Sequence, residues 1–515
     1  MSEYYTEFLP RMSEWIVNLS QGRWRAPSHE RKPLPAWEVQ TGEYVALTGA
    51  GIVDVDRGGL FSEDGLLLKD GRIERRFYAA ELPELRRNTP IAREVDCAGA
   101  YLMPGLSDLH SHPGSVIEKI SMKELPYFPA QRERNCEVAI ENGTTFLRVV
   151  GGNWGPISYL RREIDAGRLV GPDWLTSFVP LIPKRGIWDF GWGMNAMGNA
   201  FLFGGRYANF VRSPAQLRRV LDETVRRGAE LIKTYQEERP FYGFTENHLY
   251  RMWTREELQM IREMASRHHL PLACHAMFIR GARMAIEAGV DTLEHMTVDA
   301  PYSPEDAARM AEKGVAILPT LGVGLFLAIE MGSRGYADDP DLLYFKRFRR
   351  VHVPGYIERS TIPALRSCYK GFLGDIDQGF PGDRMPGVGP IWPKHVTGFA
   401  HFARDSFENF RRAGVRVGIG TDGGLGTSFS GLVEPELLLS HYLGYSIAEV
   451  LRMATLGNME IAGLERERGS LDPGKVADVL VVAKNPLDDL KNLREPKWVF
   501  KRGRPLIRAK AEAQA

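Results

Sequence analysis

Hydrophobic and polar positions follow two different periods along this chain, and the change of period marks out its regions. From Glu43 to Glu94 short apolar runs are broken by Gly and Asp-Gly, as in Tyr44-Val-Ala-Leu-Thr and Gly65-Leu-Leu-Leu-Lys-Asp-Gly-Arg-Ile-Glu, a pattern of strands and tight turns. The same texture returns near the C-terminus, in Gly469-Ser-Leu-Asp-Pro-Gly-Lys-Val-Ala-Asp-Val-Leu-Val-Val and Pro496-Lys-Trp-Val-Phe-Lys-Arg-Gly-Arg. Between these ends, apolar segments alternate with amphipathic stretches. The candidate strands are Leu102–His112, Thr144–Val150, Trp174–Leu181, Leu231–Tyr235, Leu270–His275, Thr292–His295, Ala316–Thr320 and Val415–Thr421. Apolar residues at helical spacing predict helices at Pro214–Arg227, Arg255–His268 and Pro304–Lys313, with closing helices at Pro435–Leu443 and Ile447–Ala462.

Eight strands with helices between them predict an α/β fold, a (β/α)8 TIM barrel. The β-rich ends predict one discontinuous β-sandwich domain built from both termini. The expected division is an N-terminal extension over 1–36, the leading half of the β-sandwich over 37–102, the barrel over 103–464, and the closing half of the β-sandwich with a tail over 465–515. In the extension, Phe8 to Leu19 reads as helical and Gln21 to Pro35 as an irregular arm. Two connections, Pro183 to Val211 and Leu321 to Ala413, are long enough to be expected at the substrate pocket and its lid.

Composition narrows the class. A chain of 515 residues accommodates a large barrel with a second module, and 43% hydrophobic with 25% charged residues is ordinary globular usage. A net charge of +1 gives no electrostatic reason to expect nucleic acid or an anionic membrane as partner. Cys97, Cys136, Cys274 and Cys368 are far apart without a CxxC, which predicts reduced thiols in a cytoplasmic protein. No basic region followed by an apolar run opens the chain, and no run of about 18 apolar residues occurs, so neither a secretory signal nor a membrane span is expected.

The chemistry centres on Tyr101-Leu-Met-Pro-Gly-Leu-Ser-Asp-Leu-His110-Ser-His112-Pro-Gly. Alternate strand residues face one side, so His110 and His112 project together. Polar residues also end other candidate strands: Lys233 in Leu-Ile-Lys-Thr-Tyr, His275 in Leu-Ala-Cys-His-Ala, His295 in Thr-Leu-Glu-His-Met and Asp422 in Gly-Ile-Gly-Thr-Asp-Gly-Gly. In a barrel these ends converge, and imidazole with carboxylate suits Zn²⁺ and related ions.

These residues, with Gly143-Thr-Thr, Gly420-Thr-Asp and the Gly469-to-Asp478 run, resemble the amidohydrolase superfamily. Within it the chain looks like the binuclear branch of prolidase-like and imidazolonepropionase-like enzymes, over roughly residues 43 to 505. The resemblance implies that His110 and His112 bind a more buried metal with Asp422, that His275 and His295 bind a second, and that Lys233 carries a CO2-derived carbamate bridging both. Two divalent ions, zinc foremost, are thus the implied cofactors. The implied reaction is attack of a metal-bridging hydroxide on an amide carbonyl, with Asp422 as base and then acid. Tyr235, on the same strand face as Lys233, is placed to hydrogen-bond the carbonyl or oxyanion. The expected substrate is an N-acyl amino acid or Xaa-Pro-type dipeptide. A cyclic amide or imidazolone ring, an ester or a phosphotriester are alternatives within the fold, and an inactive barrel acting as binding scaffold is an alternative outside it. Relatives are often homo-oligomers, which sets the expectation for this chain by analogy.

Taken singly, each of these residues has a bland reading: a strand-end histidine is more often structural, a lone lysine a surface residue, and Gly-Thr-Asp a turn. Order, spacing and residue type together favour the site. His268 and His269 sit at a helix end, His29, His248 and His352 read as surface residues, and His395, His401 and His441 are not expected as ligands. Gly420 to Thr427 lacks the Lys-Ser/Thr of a phosphate loop. Arg148 and Arg185 offer guanidinium forks to a substrate carboxylate, a structural role being the commoner one. Where many relatives carry Arg-Asp, this chain has Arg148-Val149.

Overall fold

The computed structural model describes residues 31, 39–114, 128–187, 189, 208–238, 249–323, 399–423 and 430–508. Most of the N-terminal extension, most of both long connections, Cys368, Gly424 to Thr427, and His29, His248, His352 and His395 lie outside the described residues, as does the side chain of His401.

The first β-rich stretch forms β1 (Tyr44–Thr48), β2 (Gly51–Asp54), β3 (Gly59–Leu60), β4 (Gly65–Lys69), β5 (Arg72–Phe77), β6 (Ile91–Asp96) and β7 (Tyr101–Pro104). One sheet runs β5-β4-β1-β6. The parallel strands follow: β8 (Leu106–Ser111), β9 (Thr144–Val149), β10 (Asp173–Thr176), β11 (Leu181–Pro183), β12 (Asn209–Val211), β13 (Ile232–Tyr235), β14 (Leu272–His275), β15 (Thr292–Glu294) and β16 (Ala316–Leu318). They are ordered β10-β9-β8 and β12-β11-β13-β14-β15-β16, and every described pair in both sheets is parallel. The C-terminal segment adds β17 (Val479–Val482), β18 (Trp498–Lys501) and β19 (Arg504–Arg508). β17 pairs antiparallel with β7, giving a sheet β19-β18-β17-β7-β2-β3 woven from both ends of the chain.

The fully apolar run Val479-Leu-Val-Val has a physical reason. Val479 and Val481 pack with Val45, Leu47, Leu66 and Phe500 between these two mixed sheets, while Leu480 and Val482 turn to the large core beneath the parallel strands. A period of two with an apolar layer on each face requires apolar residues at every position.

The helices start and stop where local chemistry dictates. Ser213 caps Pro214–Arg226 with proline in its first turn. Thr254 with Glu257 and Ser303 with Asp306 form capping boxes for Arg255–Arg267 and Pro304–Lys313. The latter ends on Gly314 in the left-handed region. Each buries one stripe, as Leu217, Val220 and Leu221 do in the first.

Three segments differ from the pattern expected of them. Leu102–His112 divides at Gly105, which passes the chain from β7 to β8; a Cβ there would lie 2.3 Å from Thr145 Oγ1. Trp174–Leu181 divides into β10 and β11 around Phe178, whose φ is +51°. Ile447–Ala462 carries a π turn at Met453–Gly457, where the Ala454 carbonyl accepts Ser107 Oγ at 2.7 Å.

The stretch expected as a last strand, Val415–Thr421, runs between β16 and β8. Parallel bridges join Ile317 to Val417 and Ser111 to Gly423. Asn458 clamps this seam: its Nδ2 donates to the carbonyls of Ser107 and Ile419, both at 3.0 Å, and its Oδ1 accepts Ile419 N at 2.8 Å.

The parallel strands are tied to the C-terminal sheet by charge. Asp173, opening β10, receives Lys501 Nζ at 2.7 Å, Arg502 at 2.8 Å and Arg468 at 3.0 Å. Burial pushes its carboxyl up, but Lys501, Arg468 and Arg502 more than offset that and hold it below the usual range. Asp173→Ala is expected to cost about 3 kcal/mol in a denaturant titration, because Lys501 loses its buried carboxylate and Arg468 keeps only Asp478. A folded-state pKa below the unfolded value near 3.9 makes this contribution complete above about pH 5 and lost as pH falls through the folded pKa. The difference between wild type and variant should therefore shrink below about pH 4, and a pH-independent difference would refute the assignment.

Candidate metal centre

The site is built from the C-terminal ends of the parallel strands. His110 sits in β8 with its Nδ1 2.6 Å from Glu294 Oε2. Glu294, at the end of β15, also accepts Arg148 at 2.6 Å and Thr292 Oγ1 at 2.5 Å through its other oxygen. Burial alone would raise the Glu294 pKa; Arg148, His110 and Lys233 reverse this and hold it well below the carboxylate range. A carboxylate only accepts, so His110 donates from Nδ1 and turns its Nε2 toward the site. His112 reaches the same state differently, since its Nδ1 is 2.8 Å from the carbonyl of Gly151, which also only accepts.

Asp422 closes the group. Its Oδ1 lies 3.1 Å from His110 Nε2 and 2.9 Å from His112 Nε2, and the three donor atoms fall within 4.8 Å of one another. The local backbone is strained to place it, with φ of +52°. Asp108 holds that turn: its carboxylate accepts Thr421 N at 2.9 Å, Thr421 Oγ1 at 2.6 Å, Gly431 N at 2.8 Å and His110 N at 3.1 Å. Gly420 is required by closeness, since a Cβ would stand 2.6 Å from His110 Cβ and 2.9 Å from its backbone nitrogen.

His275 ends β14 and His295 follows β15, with ring centroids 4.5 Å apart; His295 is 4.6 Å from His110. His275 Nε2 meets Glu237 Oε2 at 2.9 Å, and His295 Nδ1 meets Thr320 Oγ1 at 2.7 Å. Burial, reinforced by neighbouring histidines, keeps both imidazoles neutral, well below the ordinary histidine value. Lys233 on β13 is fully buried, and its Nζ has no hydrogen-bond partner among the described residues. Burial lowers it to about 8, although Glu294 and Asp422 pull the other way. Tyr235 stacks on His275 at 4.6 Å with its phenol kept protonated by burial, and Lys233 Nζ lies 5.1 Å from the Tyr235 ring.

This donor set fits a metal. Two imidazole Nε2 atoms and a carboxylate oxygen converge within 4.8 Å in a buried place, a donor set that a divalent cation between them can bind. Imidazole nitrogen and carboxylate oxygen are suitable ligands for divalent zinc-like ions. The buried amine of Lys233 stands beside the same carboxylates without a hydrogen-bond partner among the described residues.

All six expected ligand positions therefore gather at one place, with Tyr235 beside them. The residues that orient them are not visible from the sequence pattern. Glu294 stands directly before His295 in Thr-Leu-Glu-His, and Asp108 lies inside the His110 motif, yet neither has a chain-local signal for its role. Arg148 is no substrate fork: it is buried, with Nε donating to the Leu109 carbonyl at 2.6 Å, one Nη to Glu294 at 2.6 Å and the other to Thr292 Oγ1 at 3.1 Å. Arg185 is exposed. His268 caps a helix C-terminus, and His441 Nδ1 bonds the Tyr445 carbonyl.

A family model for the amidohydrolase family matches residues 101–506. The chain belongs to that family. This amidohydrolase is thus an enzyme of amide-bond hydrolysis, and the family's dependence on metal accords with the donor cluster. It is similar in sequence to ochratoxinase from Aspergillus niger, 24% identical over 490 residues that cover 91% of this chain and 87% of that protein. Among solved structures, Aspergillus niger ochratoxinase matches with a TM-score of 0.67 at 21% identity, covering 91% of this chain and 96% of that one. A Xaa-Pro dipeptidase with bound methionine matches with a TM-score of 0.65 at 20% identity, covering 90% and 99%. Likeness at these identities shows a shared α/β fold. Cys97, Cys136 and Cys274 are buried. Among the described residues no helix is long and apolar enough to cross a membrane.

Proposed function

We propose that this amidohydrolase cleaves the amide bond of an N-acyl amino acid or Xaa-Pro-type dipeptide at a centre for two divalent ions, zinc foremost. The observation that carries the reading is the convergence of His110 Nε2, His112 Nε2 and Asp422 Oδ1 within 4.8 Å. His110, His112 and Asp422 would hold one ion. His275, through the Nδ1 that Glu237 leaves open, and His295, through the Nε2 that Thr320 leaves open, would hold the other. Lys233, as its carbamate, would supply an oxygen to each. When bound, such ions make water nucleophilic near neutral pH and polarise a carbonyl.

The chain's own groups do the rest. Asp422, kept ionised by its histidine neighbours although burial opposes this, takes the proton of the attacking water and passes it to the leaving nitrogen. Tyr235, protonated and stacked on His275, donates to the developing oxyanion. The parallel strands, with 416–423 as the seam between β16 and β8, are read as a (β/α)8 barrel over 103–464. The two mixed sheets sharing one core are read as a sandwich over 37–102 and 465–515. The name of one similar protein, a Xaa-Pro dipeptidase, supports an amide whose amine component is an amino acid. A cytoplasmic homo-oligomer completes the reading.

The test is elemental analysis of protein purified without chelator, followed by a panel of N-acyl amino acids, dipeptides and cyclic amides. About two zinc-like ions per chain with release of the amino acid are expected. About one ion would replace the binuclear centre by a mononuclear one. No ion, with no activity after added metal and bicarbonate, would leave a non-catalytic scaffold.

A further inference from the structure

Thr320 is in the left-handed region, with φ of +45°. For a β-branched residue that is a costly conformation, and such strain persists only where neighbouring structure imposes it. Here the strained residue is the one whose hydroxyl meets His295 Nδ1, and His295 itself has φ of +76°. The next two residues are gripped from elsewhere. Glu436, near the start of the helix Glu434–Tyr442, accepts Leu321 N at 2.7 Å on one carboxylate oxygen and Gly322 N at 2.5 Å on the other. Gly322 is shaped for this contact, since a Cβ there would lie 2.6 Å from Glu436 Oε1. Glu436 is buried, so its ionisable group is retained at a cost in desolvation.

We propose that Glu436 is a positioning residue for the metal centre. By pinning the N–H groups of Leu321 and Gly322 it holds Thr320 in its strained conformation. Thr320 Oγ1 then fixes His295 through Nδ1 and leaves Nε2 as the coordinating nitrogen. The residues leading into the Glu436 helix also serve the opposite side of the site, because Gly431 N bonds Asp108, which holds the Asp422 turn. The inference rests on the reading of His295 as a ligand. Outer partners of this kind tune affinity as well as orientation.

The experiment compares wild type, Thr320→Ser, Thr320→Val, Glu436→Gln and the Thr320→Val/Glu436→Gln double variant, each loaded with zinc. Zinc retained per chain is measured after dialysis against graded concentrations of a chelator. Glutamine keeps the size of Glu436 but turns an NH2 toward one of the two N–H donors. Thr320→Val and Glu436→Gln are expected to weaken retention of one ion by roughly 10–100-fold, while Thr320→Ser, which keeps the hydroxyl, behaves as wild type. The double variant should be no weaker than Thr320→Val alone, since both changes break one relay. Unchanged retention in Glu436→Gln or Thr320→Val, or losses that multiply in the double variant, would overturn the relay while leaving the proposed function standing. Wild type that takes up no zinc would remove both, and that outcome is read from wild type alone.

Discussion

Asp422→Asn is expected to lower kcat/KM on any amide substrate by roughly 10³-fold, within the range for loss of a general acid–base group. The substitution keeps shape and one acceptor oxygen, so the strained turn held by Asp108 through Thr421 should survive. What it removes is the group that can take a proton and return it. Asparagine also lacks the negative charge that stands 2.9 and 3.1 Å from the Nε2 atoms of His112 and His110, so metal affinity should fall as well. Measuring metal content beside kcat separates the two effects: with metal supplied in excess, the loss should remain in kcat. A variant that recovers full kcat in excess metal would remove Asp422 from proton transfer and leave it a ligand only.

The second large effect belongs to Lys233. Lys233→Met is expected to reduce activity by roughly 10²–10³-fold, the scale for removing one preorganised electrostatic partner. The metal-free protein should meanwhile be as stable as wild type or about 1 kcal/mol more stable, because a buried amine without a hydrogen-bond partner among the described residues is replaced by an apolar chain of similar length. Few residues are expected to separate function from stability in this direction, and the separation marks a group retained for chemistry. Native mass spectrometry of the wild-type, metal-loaded protein should show one added CO2 per chain, absent in the variant. Metal-loaded wild type without that addition would leave Lys233 an unmodified amine, and a variant with normal activity would dismiss it from the site.

The strands and the candidate ligands were legible for one reason and their arrangement obscure for another. Periodicity is local, so runs such as Ile232–Tyr235 and Leu272–His275 declare themselves, and a polar residue closing an apolar run declares itself with them. Capping chemistry is equally local, and the helix Pro304–Lys313 has the bounds its pattern predicts. Where expectations failed, the cause was not local. Nothing in Leu102–His112 announces that Gly105 hands the chain from a mixed sheet to a parallel one, because what requires glycine there is Thr145 of the neighbouring strand.

The sequence by itself determined the α/β alternation, the return of β structure at both ends, and the identity of the residues that gather at the strand ends. Only the tertiary structure decided which nitrogen of each histidine is free. Glu294 reaches His110 across 184 positions of chain, and Arg148 reaches Glu294 across 146. Those partners meet because strand register places them together, and register is set by packing summed over the whole sheet. A histidine in a sequence has two nitrogens, either of which can carry the proton; the buried partner that engages one of them, and so turns the other to the site, exists only once the strands are side by side.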